Sequence, residues 1–464
     1  MTEVAEPSPI ARPARVRRSP TELQVSFLDS AFVEALVAER GEPDWLRDDR
    51  LAAVETFAGL EVESNRLYTP YVDLRATAVD GAAPYTATAS HAGSPAALSD
   101  DIAGLLELDE DGVTAVSLDD AARESGVRLL TLAELVRTDD AFARTLLADG
   151  GLVPDDEKLG QLSRAAWSQG IVVHVPANVH VAKPIVLRWR AGAPRALVTR
   201  TLIVLEDGAN ASIVEELVPS AGVVAGSQAM LSATTEIRMG AGSRLAMASL
   251  QELGPDHVVF QQRLARIGDG ADLRWALAQL GARLVRSRVD NVLAGDRSTV
   301  EQVEIVFGSD EQLMDLTSYT RHVGRDTTGQ LLAKGVLTDK ARTYMKGLIS
   351  IEKTAIGTDS YLGEFGMNLS KAARAVAIPS LEIDQPDCRR AMHSSSVGPI
   401  DETQLFYLES RGIPPDEARK FIVLGFLEPV VARVPLEDAQ DRLREALEAK
   451  WAASAGAGDG SAAA

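Results

Sequence analysis

Cys388 and His393 stand five residues apart in the stretch CRRAMHSSSVGPIDETQ at 388–404, and Cys388 is the only cysteine of the 464 residues. A thiol and an imidazole at this spacing can be half of a metal site, a nucleophile with its base, or two residues that only pack. One thiol cannot satisfy a conventional iron–sulfur cluster, which takes about four cysteine-type ligands. A nucleophile would need the histidine within hydrogen-bond reach and a third group to orient it, and the intervening RRAM offers no such scaffold. Arg389 and Arg390 lower the thiol pKa only if they face it. The residues by themselves favour a structural pair, then a ligand contributed to a shared site, and catalysis least.

The remaining histidines are His91, His174, His180, His257 and His322. Only His174 and His180, in VVHVPANVHVAK, are close enough in sequence to share a zinc ion, and no third ligand stands beside them. Solvent-facing or hydrogen-bonded strand histidines are the favoured reading there, and His322 is read as structural too. Glu301 and Glu304 are candidate carboxylates for acid–base work on a polysaccharide, a chemistry that requires both on one exposed face. The patterns GxxxxGK[ST], GxSxG, HExxH and CxxC are all absent, so the chain is expected not to hydrolyse ATP and not to be an enzyme.

Composition narrows the partners. With 67 acidic against 47 basic residues, the net charge of -20 works against nucleic acid and anionic membranes, which require a positive footprint. An apolar content of 45% suits a globular chain with a buried core. The single cysteine fits a reducing compartment, so a cytoplasmic location is expected. The basic start, with Arg12, Arg15, Arg17 and Arg18, has no apolar stretch after it, and no run approaches the roughly 20 apolar residues of a membrane span. Residues 1–20 are expected to form a disordered leader.

Three textures follow, and they must position these side chains. Residues 21–160 are mixed and mainly helical: Phe32, Leu36 and Val37 recur at helical spacing before Gly41 and Pro43, and Ser117 with Asp119 and Asp120 resembles a helix cap. From 165 to 395 the chain turns to short β-branched runs such as IVVHVP, RTLIVLEDGA and VEQVEIVFG, broken by Gly, Asp and Asn. Gly-Ala pairs begin at 208, 240 and 270, spaced 32 and 30 residues apart, each leading into alternating apolar residues. A turn and strand recurring this way predicts stacked coils. The expected fold is mainly β, a right-handed parallel β-helix, with an antiparallel sandwich as the alternative. From 399 to 451 the pattern is helical again, with Gly412 as a C-cap and Pro414 and Pro415 opening the next helix. Residues 452–464 are expected to be a disordered tail.

Several segments together resemble the SufB/SufD family, the scaffold subunits of SUF iron–sulfur cluster assembly. They are AAWSQGIVVHVPANVHVAKPIVLR (165–188), RTLIVLEDGA (200–209), KGVLTDKARTYMKGLISI (334–351), GTDSY (357–361), IPSLEI (378–383) and HSSSVGPIDETQLFYLESRGI (393–413). They cover roughly 150–435, and ERGEPDWL at 39–46 is similar to the opening of SufB-type chains. The resemblance implies a β-helix core flanked by helices. It also implies pairing with a SufB-like chain and, through about 399–435, binding of a SufC-like ABC ATPase whose closure would twist the scaffold pair.

Within that family the chain looks like SufD. SufB-type chains carry a cluster-site cysteine where Arg374 stands, and a glutamate after the family histidine where Ser394 stands. The histidine itself is kept as His393. SufD-type chains often place a cysteine two residues before it, where this chain has Ala391, so the resemblance gives Cys388 no ligand role. It implies for His393 a place in an iron or Fe–S cluster site shared transiently with the partner, with no cofactor held stably by this chain alone. A homodimeric scaffold and a carbohydrate-active β-helix enzyme remain the competing expectations.

Overall fold

The computed structural model describes residues 23–458, apart from 64, 69–70, 72–73, 75–76, 78, 80–81, 86–93, 96 and 221–226. The basic arm, His91 and residues 459–464 therefore lie outside the described residues. Strands alternate strictly between two sheets. One stacks, in order, Gln169–Val175, Ala196–Leu205, Ala229–Met239, His257–Ile267, Leu284–Leu293, Leu313–His322, Arg342–Ile351 and Arg374–Ile383. The other stacks Ile185–Ala191, Asn210–Pro219, Arg244–Gln251, Asp272–Gln279, Thr299–Gly308, Thr328–Leu337, Asp359–Asn368 and Arg390–Gly398. All these neighbours pair in parallel, giving a β-solenoid of about eight turns, so the antiparallel sandwich is excluded.

The sequence folds this way because its alternation serves two faces at once. In Asp272–Gln279, Leu273, Trp275 and Leu277 point into the lumen, while Ala276 and Ala278 face outward beneath helices. Six successive corners from the first sheet to the second carry a left-handed residue followed by a small buried one: Gly208–Ala209, Gly242–Ser243, Gly270–Ala271, Arg297–Ser298, Asp326–Thr327 and Gly357–Thr358. The register pairs Arg244 with Asn210 on one side and with Asp272 on the other. The structural counterpart of Gly208 is thus Gly242, at φ 65°, and not Gly240 as the Gly-Ala spacing suggested.

The N-terminal region does more than flank the solenoid. Gly104–Asp109 adds in parallel to Ile185–Ala191 and is itself covered by the antiparallel Gly112–Leu118. Arg128–Thr131 adds antiparallel to Gln169–Val175. Helices Asp44–Gly59, Leu132–Thr138 and Lys158–Ala166 bring Phe57, Leu135, Leu162 and neighbouring Trp167 against Val198, Met230 and Phe260 on the outer face of the first sheet. A buried ion network seals this junction. Glu63 bonds Arg286 at 3.2 Å and Lys346 at 3.4 Å, while Asp315 holds the same two cations at 3.0 and 2.6 Å. Charges this buried are tolerable only because each has an opposite partner.

The outer face of the second sheet is covered from the other end of the chain, by helices Glu402–Ser410, Pro415–Val431 and Glu437–Gly458. Val423, Leu427, Val430, Leu443 and Leu447 pack on Val214, Ala276, Ile305 and Val336. Lys334 Nζ donates to the Phe426 carbonyl at 2.9 Å. Lys450 Nζ reaches the Leu280 and Phe307 carbonyls and Gln312 Oε1, and burial pushes its pKa down to about 7. The last helix runs to Gly458, into the segment expected to be a tail, because its alanines have high helix propensity. Gly412 at φ 87° and Pro415 at the first helical position end and open the first two helices as expected.

Candidate functional site

Among the described residues, one end of the solenoid is uncovered. Arg390–Gly398 is the last strand of its sheet and pairs only with Asp359–Asn368 among the described residues. Register stacks Ala391 on Ser360, His393 on Leu362, Ser395 on Glu364 and Val397 on Gly366. Leu362 and Glu364 are buried lumen residues, so His393 and Ser395 occupy lumen-facing positions in a turn that no further turn covers. They are therefore exposed, and Met392 and Val397 are exposed with them, at 50% and 40%. The partner strand edge of the first sheet, Arg374–Ile383, is half-covered: Tyr68 Oη donates to the Gly347 carbonyl at 3.0 Å and lies 3.4 Å from Ser380 Oγ. Arg374 begins that strand, and Ser394 points to the opposite side from His393, bonded to Tyr361 Oη at 2.6 Å.

Cys388 has a different setting. It lies half-buried in the loop between those two edge strands, against a cluster of Leu331, Ile349, Ile351, Ala355 and Leu362. No hydrogen bond joins it to His393 among the described residues. Its environment is that of a small apolar side chain, which is how an unpaired buried thiol behaves.

The other histidines stay apart from this end or are consumed by structure. His174 Nε2 contacts Glu206 Oε1 at 2.8 Å, and His180 is exposed at an isolated bridge to Asn210. His322 is buried between Thr327 Oγ1 at 2.8 Å and Ser360 Oγ at 3.0 Å, and desolvation pushes its pKa down to about 4, so it is neutral. His257 is buried with ring nitrogens near the Gly254 and Ala191 carbonyls. No group of three His, Cys, Asp or Glu side chains fit for a metal occurs among the described residues. Glu301 and Glu304 fall on opposite faces of Thr299–Gly308: Glu301 bonds Arg433 on the helical side, and Glu304 is buried in the lumen. The pairing that glycoside hydrolysis requires is therefore missing at these two residues.

Beside the open end, the first two C-terminal helices present aromatic side chains to solvent. Phe406, Tyr407 and Phe421 are 72%, 57% and 60% exposed. A cleft of about 540 Å³ runs from Phe365, Ser396 and Gly398 on the last two turns to Phe421, Ile422 and Phe426 on the second helix. The helical pattern over 399–451 spans these residues but does not tell that they face outward, although Leu405, Phe406 and Tyr407 make an apolar run too wide for one buried stripe.

Fold and site together define a parallel β-solenoid whose final turn, carrying a lumen-facing histidine, is left bare next to an aromatic helical surface. Residues 188–426 match the family described as SUF system FeS cluster assembly, SufBD core domain. The iron-sulfur cluster assembly protein SufD of Bacillus subtilis is 27% identical over 442 residues, covering 91% of this chain and 98% of that one. An iron-sulfur cluster assembly SufBD family protein of Staphylococcus epidermidis is 24% identical over 440 residues, covering 90% and 92%. One from Mycobacterium tuberculosis is 32% identical over 213 residues, covering 44% and 54%. The chain belongs to the SufB/SufD family and is most like SufD.

Proposed function

We propose that this chain is a non-enzymatic, cytoplasmic scaffold subunit for iron–sulfur cluster assembly. Its bare final turn pairs with a SufB-like chain, and its aromatic helices hold a SufC-like ATPase. The observation that carries the reading is the position of His393, lumen-facing by register yet open to solvent. A strand edge with unpaired backbone groups invites another chain to continue the sheet. A second chain added there would cover His393 and enclose it at the junction. A neutral imidazole suits iron, and a site completed by a partner's thiolate needs no further ligand from this chain. Iron and cluster are cargo here, held transiently at the shared surface. No helix among the described residues is long and apolar enough to cross a membrane.

Co-expression with a SufB-like chain and a SufC-like ATPase, followed by chromatography with mass measurement, tests the partners. The expected product contains all three chains; self-pairing with the ATPase instead favours a homodimeric scaffold, and failure to retain any ATPase rejects the reading. In the reconstituted complex, His393→Ala is expected to lower cluster yield while the complex stays assembled. An unchanged yield would remove the ligand role.

A further inference from the structure

The first two C-terminal helices are held unevenly. Among the described residues, Glu402–Ser410 buries Leu405 alone, and residues 415–422 of the next helix bury Ala418 alone. Further along that helix, Val423, Leu427, Val430 and Val431 pack on the sheet. The polar pins fall on the same side. Lys334 Nζ holds the Phe426 carbonyl at 2.9 Å, and Arg433 donates to the Pro429 carbonyl at 2.7 Å while its Nε bonds Glu301 at 2.8 Å. The first half is tied by Lys420 to Glu448 at 3.1 Å, an exposed pair worth little.

Between the two halves stand Gly425 and Pro429, four residues apart. Pro429 has no N–H to give the Gly425 carbonyl, so the helix lacks a hydrogen bond there, and glycine is the weakest helix former after proline. Packing does not ask for glycine, since a Cβ at Gly425 would meet nothing within 4 Å. Gly425 also lines the cleft of about 540 Å³ that separates Phe421 and Ile422 from Phe365, Met367 and Ser396. A second hollow, of about 450 Å³, lies between Thr403, Tyr407 and Ile422. Only residues 399–401 join Gly398, the end of the His393 strand, to Glu402.

A helix pair with few buried contacts, room on its inner side and a weak point where it meets the fixed part can take more than one position at little cost. We infer that Glu402–Ser410 and residues 415–422 form a lever hinged at Gly425 and Pro429, which closes the cleft onto the last two turns and shifts the His393 strand through residues 399–401. Val423 stands beside the hinge, so a small rotation moves it least. Closing brings Phe421 toward Phe365 and Ser396 and takes it out of solvent. A partner that grips Phe421 from outside therefore favours the open position, by its difference in affinity for the two. The identity of that partner rests on the scaffold reading, whereas the hinge belongs to the isolated chain.

Spin labels at Arg325→Cys and Glu409→Cys, both exposed sites, in the full-length chain carrying Cys388→Ala report the lever's position without any partner. Failure here is thus distinct from failure of the scaffold reading. Two distance populations are expected. Gly425→Ala together with Pro429→Ala restores the missing N–H, and is expected to leave one narrow population and to slow amide exchange in Arg390–Gly398 by at least about threefold. Gly425→Ala alone is expected to narrow the distribution and serves if the double variant fails to fold. One narrow population with the natural hinge, or two populations unaffected by the substitutions, would overturn the hinge. Exchange in Arg390–Gly398 that does not respond to the substitutions would overturn the link to the His393 strand.

Discussion

The two ends of the solenoid are built from the same turn and strand, yet they have opposite fates. At the start, every lumen-facing side chain of Gln169–Val175 is buried, because Arg128–Thr131 covers that edge and Ala103, Ala122 and Val127 close the lumen. At the finish, Arg390–Gly398 keeps nearly every side chain in solvent. Its HSSSVG sequence suits that exposure, since an apolar strand in the same place would be a template for aggregation. An edge that is neither capped nor strongly apolar fits the proposed pairing with a second chain. The difference teaches that burial is concentrated at one end of the solenoid and exposure at the other.

Substitutions can break or sharpen that contrast, and the largest effect belongs to the ion network on the covered side. Glu63→Ala leaves Arg286 and Lys346 buried with one carboxylate between them, and a loss of about 3–5 kcal/mol is expected in denaturant unfolding. Ile171→Ala, in the first turn, is expected to cost about 2–5 kcal/mol by the same measurement.

His322 gives a pH signature nearer the open end. Its pKa falls from 6.5 to about 4 on folding, so the unfolded chain binds more protons between those values. The stability due to a neutral His322 is complete above pH 6.5 and is lost as pH falls toward 4, by about 3 kcal/mol in all. His322→Gln is expected to flatten the unfolding curve in that window, measured as Tm against pH; an unchanged slope would show that the imidazole charges without penalty.

At the open end the energies shift from folding to binding. Phe421→Ala is expected to leave Tm nearly unchanged and weaken ATPase capture by about tenfold or more, as for an exposed aromatic anchor. Val397→Ala is expected to alter the stability of the isolated chain by no more than about 0.5 kcal/mol. If it destabilises the chain as much as Ile171→Ala does, the two ends are not different in kind.

Much of the architecture was legible in sequence: the helical ends, the β-rich middle, the Gly412 and Pro415 punctuation, and the stacked turns. The register was not. Gly240 and Gly242 lie two residues apart, and only backbone conformation tells which one takes the left-handed corner. The repeat also fades after the third pair because Arg297 and Asp326 fill the same corner without glycine. A register off by two keeps the inward and outward sides but puts each residue in the wrong column.

The site suffered the same limit. His393 entered through family resemblance, and its lumen-facing position emerges only from the pairing with Leu362. Cys388 attracted notice for its chemistry and proves to pack against the cluster of Leu331, Ile349, Ile351, Ala355 and Leu362. Glu364, the buried lumen residue under Ser395, was missed, although SYLGEFG carries the clue: it shares the inward parity of Leu362, and a charge on an apolar stripe needs a reason.

Hydrogen exchange on this chain, alone and mixed with a SufB-like chain, tests the central claim most directly. The amides of Arg390–Gly398 are expected to exchange fast in the isolated chain and to become strongly protected on mixing, while Gln169–Val175 is protected throughout. Protection that arises elsewhere, with Arg390–Gly398 still exchanging fast in the complex, would contradict the claim that the bare turn is where the partner binds.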